Sequence, residues 1–84
     1  MPYITQERRK ELDPLIWKLS KLLQTDGEIN YAITRLIDKR YGTGSYALLS
    51  AGMGVLSCVA SEFFRKRIAP FEDLKCKERG EVFE

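Results

Sequence analysis

Ser45-Tyr-Ala-Leu-Leu-Ser-Ala-Gly-Met-Gly-Val-Leu-Ser-Cys-Val-Ala-Ser-Glu-Phe-Phe-Arg-Lys-Arg-Ile-Ala69 decides how this chain is to be read. No charged residue occurs from Tyr41 to Ser61, although lysine, arginine, aspartate and glutamate make up 31% of the 84 residues. Leu48, Leu49, Met53, Val55, Leu56, Val59, Phe63 and Phe64 spread over most of a helix circumference at about 100° per residue, which predicts a helix covered on more than one side. The remaining arc holds small residues: Ser50, Gly54, Ser57 and Ser61, flanked by Ala47 and Ala51. Such a row lets another helix approach closely. So short a chain has few elements of its own with which to surround this helix, and a domain of this size is marginal alone. A second copy is the expected partner, most simply as a homodimer meeting at the Ser50–Gly54–Ser57–Ser61 side or at the adjoining apolar arc.

Outward from that helix, the rest of the chain also reads as helix, giving one all-α domain over residues 1–84. Asp13-Pro14 has the form of an N-cap followed by proline at the first helical position, so a helix is expected over about 14–24, or a bend there in a longer one. Leu15, Ile16, Leu19, Leu22 and Leu23 form its apolar stripe. Thr5 is placed to cap a short preceding helical turn. Thr25 and Glu28 have capping-box spacing, so a second helix is expected over about 27–41, ending at Gly42. The third, over about 45–69, is capped by Gly44-Ser45 and stopped by Pro70, with Arg65, Lys66 and Arg67 at the negative end of its dipole. Glu81-Val82-Phe83 and Pro2-Tyr3-Ile4 suggest a minimal pairing of strands between the termini.

Composition narrows the functions. Fourteen basic residues against twelve acidic ones, spread along the chain, give no basic face of the kind nucleic-acid binders carry. Arg65-Lys66-Arg67 is the one local cluster, so nucleic acid is not the expected partner. Histidine is absent, which removes the commonest general base and metal ligand. Cys58 and Cys76 lack zinc spacing, and Cys58, inside the apolar helix, reads as a buried thiol in a reducing cytosol. Glu72-Asp73, Glu78 and Glu81 lack the helical spacing of a di-metal site, and Ser50 and Cys58 lack a base. No catalytic residue, metal or cofactor is expected. The uncharged run from Tyr41 to Ser61 has the length of a membrane span, but its glycines and serines dilute it, so no membrane is expected.

Two groups remain as binding candidates. Gly42-Thr-Gly-Ser-Tyr-Ala47 matches a dinucleotide-binding pattern, yet follows a helix where that fold requires a strand. What survives is an anion site at the helix N-terminus, at Gly44 and Ser45, against the simpler reading of a loop and cap. Asn30, Tyr31, Thr34 and Arg35 place an amide, an aromatic ring, a hydroxyl and a planar cation on neighbouring rows of one helix. That set suits a phosphate or nucleotide-like ligand, with Arg65 as a second cation. The competing reading is structural: an ion pair of Arg35 with Asp38 or Glu62.

The chain resembles a small uncharacterised helical family from bacteria, archaea and phages. The resemblance rests on Met1-Pro-Tyr-Ile4, Gly27-Glu-Ile-Asn-Tyr-Ala-Ile-Thr-Arg-Leu36, Tyr46 with Gly54-Val-Leu-Ser-Cys58, the stretch from Glu62 to Lys75, and Gly80-Glu-Val-Phe83. It departs from that pattern at Phe64 and Phe71, where the family has tyrosines, and in a shorter, glycine-rich connection before Tyr46. The resemblance implies an intracellular, phage-associated domain and no particular activity. Together these readings give a non-catalytic, cytoplasmic homo-oligomer sequestering a small anionic nucleotide-like ligand, as a phage anti-defence protein would. The alternatives are a module that docks a host protein through an apolar helix face and a small nucleic-acid accessory protein.

Overall fold

The computed structural model describes residues 3–83. Among them the chain is helical and has no strand. Helix α1 spans Gln6–Leu22, α2 spans Asp26–Tyr41 and α3 spans Tyr46–Phe63. From α3 the chain passes through a π-helical turn, Phe64–Ile68, directly into α4, Ala69–Arg79. Tyr46–Arg79 is therefore one continuous helix of 34 residues. It is long and apolar enough to cross a membrane by length and composition, although its second half carries charge every few positions.

Local chemistry sets the starts. The Thr5 hydroxyl accepts from the Arg8 N–H at 3.3 Å, so α1 begins at Gln6, well before Pro14. Asp13-Pro14 opens no helix. The proline lies in the middle of α1, on an exposed stretch where water can take the carbonyl that it leaves without a donor. The separate N-terminal helix and the 14–24 helix expected from sequence are one element. At α2 the capping box forms: the Glu28 N–H donates to Thr25 Oγ1 at 3.1 Å, and Glu28 Oε1 accepts from the Gln24 N–H at 2.8 Å. Gly42 closes α2 with φ −74°, a right-handed conformation open to any residue. Its lack of a side chain matters for space instead, because a Cβ there would overlap the Asp38 carboxylate and carbonyl.

Pro70 does not stop the third helix. Having no N–H, it cannot close an ordinary turn; one residue earlier the Ala69 N–H reaches five residues back to the Phe64 carbonyl. The helix widens over Phe64–Ile68 and continues, which is how a proline is carried through without a break. The terminal strand pair is also not seen. Gly80 turns the chain at φ 89°, and Glu81 Oε1 then accepts from the Val82 and Phe83 N–H groups at 2.9 and 3.1 Å. Donors that a strand would offer to a neighbour are used locally; Pro2, on the other side of the expected pair, lies outside the described residues.

The chain forms two units, Met1–Thr43 and Gly44–Glu84. Within the first, α1 and α2 do not pack against one another. The second is a single rod. Among the described residues only Gly52 is buried, and no large apolar side chain is. Leu15, Trp17 and Leu22 on α1 are about two-thirds exposed, and on α3 Met53 and Val59 are 64% and 59% exposed. Within its own unit nothing covers α3, the helix that was expected to be buried on more than one side.

Candidate functional site

Two i, i+4 pairs stand side by side on α2. The Thr34 hydroxyl donates to Asn30 Oδ1 at 3.4 Å. One row over, the Arg35 guanidinium lies 6.0 Å from the Tyr31 ring centre, and Tyr31 is 66% exposed. Both pairs follow from α2's helical register, which makes residues four apart neighbours. Among the described residues no carboxylate pairs with Arg35, including Asp38 on its own helix. The cation–π contact sets the guanidinium beside the ring, and Arg35 is exposed. An open hollow of about 390 Å³ lies further along α2, lined by Leu36, Ile37, Lys39, Arg40 and Tyr41, and includes none of these four residues.

The other candidates lie in the second unit. Arg65 Nη2 donates to Glu62 Oε1 at 2.9 Å, one turn back on the same helix, so that carboxylate is engaged within its own unit. Lys66 and Arg67 have no carboxylate partner among the described residues. Ser45 is the N-cap of α3 but its hydroxyl makes no capping bond; the cap is the backbone bond from the Leu49 N–H to the Ser45 carbonyl at 3.1 Å. A Cβ at Gly44 would overlap the Leu48 side chain. An apolar group thus fills the space beside Gly44, poor surroundings for an anion. Ser50, Gly54, Ser57 and Ser61 are all exposed, and a Cβ added at Gly54 meets nothing within 4 Å.

Cys58 is exposed in the single chain, where sequence placed a buried thiol: the arc around it is made of small residues, and nothing in its own unit covers it. Cys76 is half-buried. Its thiol is pushed above the usual range, first by its hydrogen bond to the Glu81 carboxylate and then by partial burial. Glu81 is held below the usual carboxylate range by the Phe83 N–H first, then the Cys76 thiol, then the Val82 N–H. This knot at the end of α4 was not anticipated; Gly80 followed by an acid was the available signal. The π-helical turn was also missed, and its signal was Pro70 inside a run that otherwise reads as helix. Among the described residues no group of three or more acidic or cysteine side chains is placed to hold a metal ion.

Residues 1–82 match the model of a family described as a domain of unknown function (DUF6899). The chain belongs to this family. Its membership of DUF6899 accords with the end-to-end resemblance in the sequence and carries no activity with it. No curated protein and no solved structure matches the chain.

Proposed function

We propose that this DUF6899 chain is a non-catalytic, homo-oligomeric binding protein that sequesters a small anionic, nucleotide-like ligand in the cytoplasm. The observation that carries the reading is Arg35. It is exposed, held over Tyr31, and without a carboxylate partner among the described residues. A guanidinium fixed on a ring presents a planar fork of donors, which suits phosphate oxygens. Asn30 and Thr34, beside it, add hydrogen-bonding groups for a base or a sugar. Such a stripe is one wall of a site; a neighbouring subunit would supply the opposite wall and keep water out. Capture without turnover fits a chain with no histidine and is what a phage anti-defence protein requires.

The test is isothermal titration of purified protein with mono-, di- and cyclic nucleotides, comparing wild type with Arg35→Ala and Tyr31→Ala. The reading expects at least tenfold weaker binding in each variant, with helical circular dichroism unchanged. Binding that survives both changes would refute it, and so would an Arg35→Ala chain that fails to fold. A second reading is favoured by the exposed apolar side chains of α1 and α3: a module that docks a host protein through one of these faces. Salt separates the two. Capture of a phosphate ligand weakens as salt rises, whereas apolar docking persists.

A further inference from the structure

We infer that the ligand held on α2 is a nucleoside diphosphate or triphosphate, with Lys39 as the cation that meets its outer phosphate. This rests on the proposed capture of a nucleotide-like anion at Arg35 and names the class of that ligand. Arg35 by itself offers one guanidinium, enough to clamp a single phosphate.

The helical register carries the row one turn further. Tyr31, Arg35 and Lys39 are each four residues apart on α2. They therefore follow one another in steps of about 6 Å along the axis and drift by about 40° around it at each step. Asn30 and Thr34 lie on the opposite side of Tyr31 from the two cations. Across the surface the order is a hydrogen-bonding pair, a ring, a planar cation and an ammonium. A nucleotide presents the same order: base edge, base plane, first phosphate, next phosphate.

Lys39 is exposed and pairs with no carboxylate among the described residues. The acids on this face of α2 are turned elsewhere. The Asp38 carboxylate lies against Gly42, where an added Cβ would overlap it, and it pairs with neither Arg35 nor Lys39. Glu28 gives its carboxylate to the Gln24 N–H at the start of the helix. Nor does α1 pack against α2 to cover the row. Like charges four residues apart on a helix are unfavourable, and an anion set between them relieves that repulsion. A diphosphate places charge against both cations, whereas a monophosphate leaves Lys39 unmet.

Lys39 also stands in the last turn of α2, where a cation complements the helix dipole. Arg40 stands in that turn as well, but about half a circumference away from Tyr31. The two residues separate the explanations. A dipole role is common to both, and a phosphate role belongs to Lys39 alone.

The experiment is isothermal titration of the full chain with the mono- and diphosphates of adenosine, guanosine, cytidine and uridine and with cyclic mononucleotides. Wild type, Lys39→Gln and Arg40→Gln are compared, with circular dichroism to show that each is folded. A charge-assisted contact is worth about tenfold or more in affinity. The inference expects wild type to hold a diphosphate about tenfold tighter than the matching monophosphate. Lys39→Gln should abolish that advantage and leave the monophosphate affinity unchanged, and Arg40→Gln should keep the advantage. Equal binding of mono- and diphosphate by wild type, or a cyclic nucleotide bound in preference to both, would overturn the inference while capture at Arg35 stands. Lys39→Gln and Arg40→Gln weakening the diphosphate alike would also overturn it, because net charge rather than position would then be acting. Wild type that binds no nucleotide at all would overturn the capture reading and this inference with it.

Discussion

Replacing Gly54 by alanine should change stability with a sign that depends on what lies against α3. In the single chain Gly54 is an exposed position within an 18-residue helix, and an added Cβ would meet nothing within 4 Å. There, alanine gains helix propensity and loses backbone freedom in the unfolded chain, and stability should rise by about 1 kcal/mol. For a domain of this size that is roughly 4–8 °C in Tm. If the Ser50–Gly54–Ser57–Ser61 side meets a second copy, as the proposed homo-oligomer allows, the same methyl group enters the contact and does so once from each copy. Overpacking of that kind costs about 1–3 kcal/mol, which outweighs the propensity gain. The expected result is a lower Tm by circular dichroism, a steeper dependence of Tm on protein concentration, and a lower mass by sedimentation at micromolar concentration. Gly54→Leu should have the same sign and a larger size. A rise of several degrees in Gly54→Ala, with mass unchanged, would refute the reasoning.

Thr25→Ala should destabilise by about 1 kcal/mol, since the Thr25 hydroxyl caps the Glu28 N–H; Glu28→Ala should cost a similar amount. The double variant should fall short of the sum in thermal melts, because the two side chains act as one capping box. Gly42→Ala should lower the Tm although φ there is ordinary, because its Cβ overlaps Asp38, and Gly42→Ala with Asp38→Ala should recover part of the loss. The folded pKa of Glu81 is depressed, so the order it gives the end of α4 is present above the usual carboxylate range and is lost as pH falls through the folded value. Amide exchange of Val82 and Phe83 should therefore speed up on acidification, and Glu81→Gln should flatten that dependence.

Much of the helical framework was legible because its punctuation is local. Thr5, and Thr25 with Glu28, cap as their spacing implies, and α2 ends at Tyr41 beside Gly42. Both failures of boundary came from proline. Asp13-Pro14 was read as a start or as a bend in a longer helix, and Pro70 as a stop, yet each sits inside a continuing helix. A proline forfeits one hydrogen bond, and at an exposed position water or a π-turn can replace it; a sequence signal for helix start cannot weigh that alternative. The strand pair failed for a different reason. Glu81 satisfies the Val82 and Phe83 donors within three residues, and no periodicity reveals such a competitor. At the candidate site the sequence placed Asn30 with Thr34 and Tyr31 with Arg35, and the structure keeps both pairs. Arg65 bonds Glu62 one turn away, which spacing also permitted.

The same economy connects the proposed homo-oligomer with Arg35. Folding must bury apolar surface to offset the entropy of ordering the chain, and among the described residues no large apolar side chain is buried. Helices such as α1 and α2, of 17 and 16 residues, draw most of their stability from tertiary packing. Their persistence here would then depend on a second copy, and dilution should melt helix and dissociate subunits in one step. In that setting Arg35 gains meaning. A cation that helps hold a fold is tied to an acid, as Arg65 is to Glu62. Among the described residues Arg35 is tied to a ring and to no acid, a contact that orients the guanidinium while leaving its charge unspent, and a bound phosphate is the partner that would complete it.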